Sequence, residues 1–206
     1  MHKKSYKTAG VSLKEAKKAM ILIHGRGANA DDILFISNYL KLKEFCLIAP
    51  EATNNTWYPN SFMAPPKENE PWLSSALQII NEIVAQIELN KINKENIYFL
   101  GFSQGACLTL EYLARNADVY GGAAAFTGGL IGDKIYRENY SGDFQSTRIF
   151  IGSSDPDLHV PVSRVEESKM ILQNMNAEVE MKIYKNTGHT INEDEIETVN
   201  RFILHS

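Results

Sequence analysis

The sequence predicts an α/β fold in which helices cover both faces of a mostly parallel central sheet. Short apolar runs alternate with amphipathic stretches of helical length over nearly all of the 206 residues, which is the order expected of parallel strands joined by helices. The runs are also close to uniformly hydrophobic, as in residues 19–23. Such runs are typical of strands that are buried on both sides.

Six strands are expected, each an apolar run bounded by polar or turn-forming residues. In chain order they are residues 18–24, 45–49, 96–101, 121–126, 148–152 and 179–184. Ligands of an open α/β sheet bind beyond the carboxyl ends of its strands. The loops that follow these strands are therefore the first place to search for a functional site.

Five helices are expected between and after the strands, over residues 31–40, 71–90, 104–116, 162–176 and 193–205. The second has the clearest pattern, because its apolar side chains recur at steps of three and four residues and so share one face. They are Trp72, Ala76, Ile79, Ile80, Ile83, Val84 and Ile87. Pro71 suits its first turn, where no backbone N–H is needed. We expect a long helix that lies on the sheet.

Length and composition favour one domain over residues 1–206, large enough to bury about 70% of its unfolded surface. The net charge of −4 supplies no basic field for nucleic acid. No apolar run approaches the roughly 18 residues of a membrane span, and no apolar segment follows the basic residues 1–7 as it would in a signal peptide. We expect a cytoplasmic protein with no nucleic-acid partner and no membrane span.

The two cysteines, Cys46 and Cys107, lie in separate apolar segments rather than in a closely spaced pair. Neither a disulfide nor a metal framework is therefore expected. Cys107 should be a buried thiol, because it lies well inside a predicted helix.

The most informative motif is Gly101-Phe102-Ser103-Gln104-Gly105, which joins a predicted strand to a predicted helix. A serine at such a junction occupies a strained turn, and the glycines are needed because side chains there would collide with the neighbouring strand and helix. The turn exposes the hydroxyl and aims the N–H of Gln104 into the same space. Gly-x-Ser-x-Gly alone is a weak pattern, but in this context it predicts that Ser103 is a nucleophile.

A nucleophilic Ser103 needs a general base, because a serine hydroxyl barely ionises at neutral pH, and a third group must orient that base. Where a nucleophilic serine lies on such a turn between strand and helix, the acid and then the histidine follow it in the chain, each on a loop that leaves a strand. His189 meets the requirement, since it lies between a predicted strand and the final helix. Two other histidines lie near the termini, His24 precedes the serine, and His159 lies beside the acid candidates. His189 is the predicted base.

Two aspartates compete for the role of the acid. Asp155 lies three residues beyond Gly152, the usual distance from strand end to acid, whereas Asp157 lies four residues before Pro161, the usual distance from acid to the next helix. One residue cannot meet both spacings, because this loop is longer than usual. Asp155 is preferred, since the strand end fixes position more firmly. The other aspartate would then cap the helix or hold His159.

An oxyanion hole needs a second backbone donor besides Gln104. The first predicted strand ends in His-Gly-Arg-Gly, where small residues let the chain bend close to the nucleophile. The N–H of Arg26 is the predicted donor, and each such hydrogen bond can be worth about 3 to 4 kcal/mol in a transition state. The alternative is that Gly25 and Gly27 form an ordinary turn between strand and helix.

Two long segments, residues 51–70 and 127–147, have no predicted strand or helix. Both begin at the carboxyl ends of predicted strands, and both carry too many large apolar side chains for a solvated linker. We expect them to be walls of a substrate pocket.

The His-Gly-Arg-Gly loop, Gly-Phe-Ser-Gln-Gly-Ala, Asp-Pro-Asp-Leu-His-Val-Pro and Gly-His-Thr together resemble the phospholipase/carboxylesterase family. These are small α/β hydrolases that include the acyl-protein thioesterases, and the likeness covers about residues 18–204. It implies an α/β-hydrolase fold without a large cap domain. It also assigns a nucleophile, a base, an acid and two oxyanion donors, which are Ser103, His189, Asp155 or Asp157, and the amides of Arg26 and Gln104.

The segment after the second predicted strand is similar to the part of this family that lies beside the acyl site. The resemblance therefore places Trp57 and Phe62, with neighbouring Met63, at the substrate. These side chains and Tyr58 could instead form the patch of a homodimer. The family's thioesterases commonly carry Leu where Arg26 stands, and the acid loop is longer here, which argues against a long-chain acyl tunnel.

The sequence thus predicts a serine hydrolase that cleaves small to medium acyl esters through an acyl-enzyme on Ser103. A carboxylesterase is the leading interpretation, and thioesterase or lysophospholipase activity would use the same chemistry. The expected partner is a small acyl ester or thioester, and no cofactor is required. An amidase, peptidase or perhydrolase would use the same residues. A ligand-binding protein of the same fold without activity is the alternative from another class.

Overall fold

The protein is built around one central sheet, and the computed structural model describes residues 1–204. Across the sheet the strand order is β1-β3-β2-β4-β5-β6-β7; β1 pairs with β3 in antiparallel fashion and the other neighbours are parallel. The strands are β1 (Tyr6–Gly10), β2 (Lys18–Ile23), β3 (Phe45–Pro50), β4 (Ile97–Phe102), β5 (Gly122–Phe126), β6 (Arg148–Asp155) and β7 (Glu178–Lys185). The predicted, mostly parallel sheet is confirmed.

The α-helices within the described residues are α1 (Ala30–Phe35), α2 (Trp72–Leu89), α3 (Gln104–Arg115), α4 (Val162–Asn174) and α5 (Glu193–Thr198). Short 3₁₀ turns cover Ile36–Tyr39, Thr53–Asn55, Pro66–Asn69, Lys94–Asn96 and Arg137–Asn139. A π-helical turn, Val199–Ile203, continues α5. The predicted last helix, residues 193–205, therefore has a change of helix type within it, and its final residue, His205, lies outside the described residues.

Helices cover both faces of the sheet, and alternate side chains of β2 show this directly. Its odd-numbered residues, Ala19 to Ile23, pack in a core formed with α2, α3 and α4. Met20 and Leu22 point the other way, into a core formed with α1, α5 and the π-helical turn. The described residues include no large cap domain over the sheet. The predicted α/β-hydrolase architecture is confirmed.

Strand β1 was not predicted from the sequence. It is an edge strand of polar and small residues, and it is only partly buried. Because one side of an edge strand has no neighbour, its backbone pairing with β3 requires no continuous apolar run. Gly10 lets the chain approach closely: its φ is 73°, and a Cβ there would lie 2.4 Å from the carbonyl oxygen of Phe45.

A buried carboxyl group holds the start of α5 against the sheet. Glu195 accepts a hydrogen bond from the N–H of Asn192 (2.8 Å), and the Asn192 side chain accepts one from the N–H of Glu195 (3.0 Å). The other carboxyl oxygen lies over Gly152, where a Cβ would be only 1.9 Å away. Burial, helped by the charge of Asp194 and opposed by the Asn192 N–H, raises the pKa of Glu195 to about 7.

Glu195 should make the protein less stable as the pH rises. Its pKa is near 4.3 in an unfolded chain, so the neutral folded carboxyl stabilises the protein fully below about pH 4. That contribution is lost as the pH rises through about 7, and its size is at most roughly 4 kcal/mol. Glu195→Gln should flatten the fall in melting temperature between about pH 5 and pH 8, since Gln keeps the same cap.

Glu197→Gln is the matched control, because Glu197 is exposed on the same helix. It should leave the pH dependence of the melting temperature as in the wild type. The same pH dependence in Glu195→Gln and in wild type would contradict the raised pKa.

Candidate active site

Ser103 lies on a strained turn between β4 and α3. Its φ is 54° and its ψ is −118°, a combination that residues other than glycine rarely adopt and that clusters at functional sites. The turn is tight on both sides. A Cβ on Gly101 would lie 2.4 Å from the carbonyl oxygen of Gly105, and one on Gly105 would lie 2.1 Å from that of Ile23. Neither glycine can be replaced without moving backbone, as the motif led us to expect.

Three loops bring a hydroxyl, an imidazole and a carboxylate into one hydrogen-bonded chain. The Oγ of Ser103 lies 2.7 Å from Nε2 of His189, and Nδ1 of His189 lies 2.8 Å from Oδ2 of Asp157. The three residues follow β4, β7 and β6 respectively, so all of them lie at the carboxyl edge of the sheet. These distances suit proton transfer from the hydroxyl to the imidazole.

Asp157 is held as a carboxylate although its side chain is fully buried. Burial opposes its ionisation, but hydrogen bonds from the N–H of His159, from His189 and from the N–H of Val160 outweigh that effect and hold the pKa of Asp157 below its ordinary value. A carboxylate can only accept, so Nδ1 of His189 must carry a proton. Nε2 is then left free to accept the proton of Ser103.

The structure brings Asp157, and not the preferred Asp155, into contact with His189. Strand β6 does not end at Gly152 but continues to Asp155, which pairs with Lys185 of β7. The Asp155 carboxylate forms an ion pair with the Lys185 ammonium group. The expected spacing of three residues between strand end and acid did not apply, because the strand ends at Asp155 and not at Gly152. Asp157, the competing candidate, contacts His189.

Two backbone N–H groups beside Ser103 are free to bind an oxyanion. A Cβ on Gly25 would lie 3.4 Å from Cβ of Ser103, so the loop after β2 passes close to the nucleophile. Arg26 follows Gly25, and its backbone N–H has no hydrogen-bond acceptor among the described residues. Gln104 is the first residue of α3, where an N–H has no intrahelical acceptor. Arg26 and Gln104 line the same cavity as Ser103, and their role as oxyanion donors stays a prediction.

A cavity of about 490 Å³ opens over the hydroxyl of Ser103. Its lining residues are Arg26, Tyr58, Pro59, Asn60, Ser61, Phe62, Ser103, Gln104, Cys107, Leu158, His159, Val160 and His189. Within the described residues no group of three or more His, Cys, Asp or Glu side chains is arranged to hold a metal. In the same range no helix is both long and apolar enough to cross a membrane.

The family model for phospholipase/carboxylesterase proteins matches residues 10–206. The chain belongs to this family. It is 55% identical to the phospholipase/carboxylesterase of Dyadobacter fermentans, whose crystal structure superposes with a TM-score of 0.98 and covers 99% of this chain and 98% of its own. Acyl-protein thioesterase 1 of Saccharomyces cerevisiae is 28% identical over 217 residues, which cover 94% of this chain and 95% of that protein.

A probable carboxylesterase, SOBER1-like, of Arabidopsis thaliana is 28% identical over 130 residues, or 63% of this chain. The match spans only half of that relative's length. The predicted membership of the phospholipase/carboxylesterase family is confirmed, and the names of its relatives indicate a carboxylesterase or related hydrolase.

In this phospholipase/carboxylesterase chain, not all of the predicted pocket residues line the cavity. Phe62 lines the cavity, but Trp57 and Met63 do not. Trp57 is fully buried, and its indole N–H donates to the carbonyl oxygen of His24 at 2.9 Å, while Met63 packs against the larger core. Of this segment, only the turn from Tyr58 to Phe62 lines the cavity.

The prediction that residues 127–147 form a pocket wall is also wrong, since none of them lines the cavity. They pack behind the wall. The N–H of Gly132 donates to the carbonyl oxygen of Phe62 at 2.7 Å, and Arg164 donates to the carbonyl oxygen of Leu130 at 3.0 Å. The segment therefore lies outside the cavity lining.

Several lining residues were missed because they depend on the choice of acid. Leu158, His159 and Val160 directly follow Asp157, which contacts His189, and they line the cavity. The Cys107 thiol is buried as predicted, and burial raises its pKa to about 12. Its position at the cavity could have been found from helical spacing, since it lies one turn after Ser103.

Proposed function

We propose that the protein is a serine carboxylesterase that cleaves small to medium acyl esters through an acyl-enzyme on Ser103. One observation carries this proposal: the hydrogen-bonded order of Ser103, His189 and Asp157, at 2.7 and 2.8 Å. The two free N–H groups beside the hydroxyl support it, as does membership of a family named for ester hydrolysis.

In the first half-reaction the Oγ of Ser103 attacks the acyl carbonyl carbon while Nε2 of His189 takes the hydroxyl proton. The carbonyl oxygen becomes an oxyanion, which accepts hydrogen bonds from the N–H groups of Arg26 and Gln104. When the tetrahedral intermediate collapses, His189 returns the proton to the departing alkoxide and an alcohol leaves. Water then attacks the acyl-enzyme by the same steps, which releases the carboxylic acid and restores Ser103.

The cavity should favour short and medium acyl chains. Its lining includes the polar residues Asn60, Ser61 and His159, and a long alkyl chain would desolvate them without giving hydrogen bonds in return. Across p-nitrophenyl esters from acetate to palmitate, kcat/KM should peak at short or medium length and then fall by at least about tenfold. A steady rise to palmitate would contradict this proposal and indicate an uninterrupted acyl tunnel.

The same kinetic series should include thioesters and anilides of the preferred acyl group. Thioester hydrolysis is a candidate because acyl-protein thioesterase 1 is a relative. Faster turnover of anilides would favour an amidase or peptidase, and acyl transfer to hydrogen peroxide would indicate a perhydrolase. Failure of a fluorophosphonate probe to label Ser103 would favour the ligand-binding alternative without activity.

The expectations of a single domain over residues 1–206, a cytoplasmic location and no nucleic-acid partner stay predictions. A homodimer also stays a prediction, and light scattering tests it. Trp57 and Tyr58 are buried within the chain, so any dimer patch has to use other side chains.

A further inference from the structure

Four consecutive carbonyl groups, those of residues 57–60, accept hydrogen bonds from side chains that lie far away in the sequence. His2 Nε2 bonds to the carbonyl oxygen of Trp57 at 2.8 Å, and the other three carbonyls are bound by two residues of the candidate active site. Most backbone groups in such a loop pair with water or with neighbouring backbone. Here the wall of the cavity is instead fastened by specific side chains.

The first of these two residues is Arg26. Its guanidinium donates from Nη2 to the carbonyl oxygens of Tyr58 (2.9 Å) and Asn60 (2.7 Å), and from Nη1 to that of Pro59 (2.9 Å). No carboxylate of the described chain forms an ion pair with it. Three diverging bonds need the planar, forked donors of a guanidinium, which lysine lacks. The backbone N–H of the same residue is one of the two predicted oxyanion donors.

The second residue is Gln104, whose buried amide binds the same segment from the other side. Its Oε1 accepts from the N–H of Trp57 and its Nε2 donates to the carbonyl oxygen of Tyr58, both at 2.8 Å. The carbonyl of Tyr58 is therefore shared between Arg26 and Gln104. One peptide group thus joins the two residues whose backbone N–H groups form the predicted oxyanion hole.

We propose that the side chains of Arg26 and Gln104 are positioning residues, which set the spacing of the two oxyanion donors by clamping residues 57–60 between them. This inference rests on the proposed esterase function. The two donors come from separate loops, after β2 and after β4, and the described structure links the side chains of both residues to one segment. This clamp, the hydrogen bonds from Arg26 and Gln104 to residues 57–60, would hold the two donors in place without either side chain touching substrate.

Loosening the clamp should act on the transition state rather than on substrate binding. The N–H groups remain in any side-chain variant, but a displacement of about 1 Å can cost about 100-fold in rate. For Arg26→Lys and for Gln104→Glu we expect kcat with p-nitrophenyl butyrate to fall about 10- to 100-fold. KM should change less than about threefold, because the ester carbonyl gains most of its charge only in the transition state.

Arg26→Lys separates geometry from charge, since it keeps the cation and loses the fork. Gln104→Glu keeps the acceptor for the Trp57 N–H and loses the donor to Tyr58. A butyl boronic acid forms a tetrahedral adduct with an active serine, so its Ki should rise by the same factor as kcat/KM falls. The pH profile of kcat should not shift in Arg26→Lys, because the charge is conserved and the contact between Asp157 and His189 is untouched. Gln104→Glu also adds a negative charge to the cavity, so the pH profile is compared only for Arg26→Lys.

Arg164→Lys is a matched control. Arg164 also donates to several backbone carbonyls, those of Leu130, Gly132 and Asp133, but the segment it holds does not line the cavity. This variant should lower the melting temperature while kcat and the boronic acid Ki stay as in wild type.

Wild-type kcat and Ki in both Arg26→Lys and Gln104→Glu would overturn the proposal, and so would a rise in KM alone, which would make the clamp a substrate-binding wall. An equal loss of kcat in Arg164→Lys would mean that Arg26 and Gln104 act only by stabilising the fold in general. Failure of the esterase function is a different result, because wild-type protein would then show neither turnover nor labelling of Ser103. Circular dichroism and melting temperature verify that each variant is folded.

Discussion

Ser103→Ala is expected to lower kcat for p-nitrophenyl butyrate by about 10⁴-fold or more while the protein stays folded. Without the hydroxyl no acyl-enzyme forms, and the groups that remain can only assist direct attack by water. Residual turnover of about 10³-fold over the uncatalysed rate would be consistent with an intact oxyanion hole. The measurement is steady-state kinetics together with fluorophosphonate labelling, in which mass spectrometry should find the modification at Ser103 in wild type and nowhere in the variant.

The folded state of that variant can be checked against a second substitution. Alanine at position 103 keeps the strained backbone, with φ at 54°, and loses only the hydrogen bond to His189. Its melting temperature should therefore stay near that of wild type. Ser103→Gly should be equally inactive but more stable, because glycine adopts positive φ without steric cost. Undiminished turnover in either variant would remove Ser103 from the mechanism.

The core elements and the centre of the site could be predicted from local sequence, because their constraints are local. Gly101 and Gly105 are required by contacts within one turn, so their spacing around Ser103 is visible in five residues. The face of α2 was equally clear from its period, although Leu73 is buried where Trp72 was expected and Trp72 is only partly buried.

What failed depended on pairing between distant segments. Ser153 and Ser154 look like loop residues, yet both are buried in β6 because they pair with β7. Trp57 was likewise predicted to line the pocket. Its indole is instead in the interior, where it donates a hydrogen bond to the carbonyl oxygen of His24 in the loop after β2. Neither the pairing of β6 with β7 nor the hydrogen bond of the Trp57 indole leaves a pattern in the nearby sequence. Sequence reasoning therefore named the side chains that the structure brings together at Ser103, but it misplaced the segments that surround them.

Asp157→Asn is expected to lower kcat by about 10³- to 10⁴-fold, whereas Asp155→Asn should change it by less than about twofold. The Asp157 carboxylate fixes the protonated Nδ1 of His189 and stabilises the imidazolium that forms during attack. Asparagine has a similar shape but cannot supply the charge, and its amide can reverse the tautomer. The two variants make the same chemical change two residues apart, so their comparison isolates the contact with His189.

The two variants should also differ in their free energy of unfolding. The ion pair of Asp155 with Lys185 is substantially exposed, with 41% and 74% of the side chains accessible, so its loss should cost less than about 1 kcal/mol. The side chain of Asp157 is fully buried and also accepts from the N–H groups of His159 and Val160. Asparagine can keep only part of this network, and we expect its loss to cost about 1 to 3 kcal/mol. A larger kinetic effect from Asp155→Asn would return the acid role to Asp155 and require the loop after β6 to rearrange during catalysis.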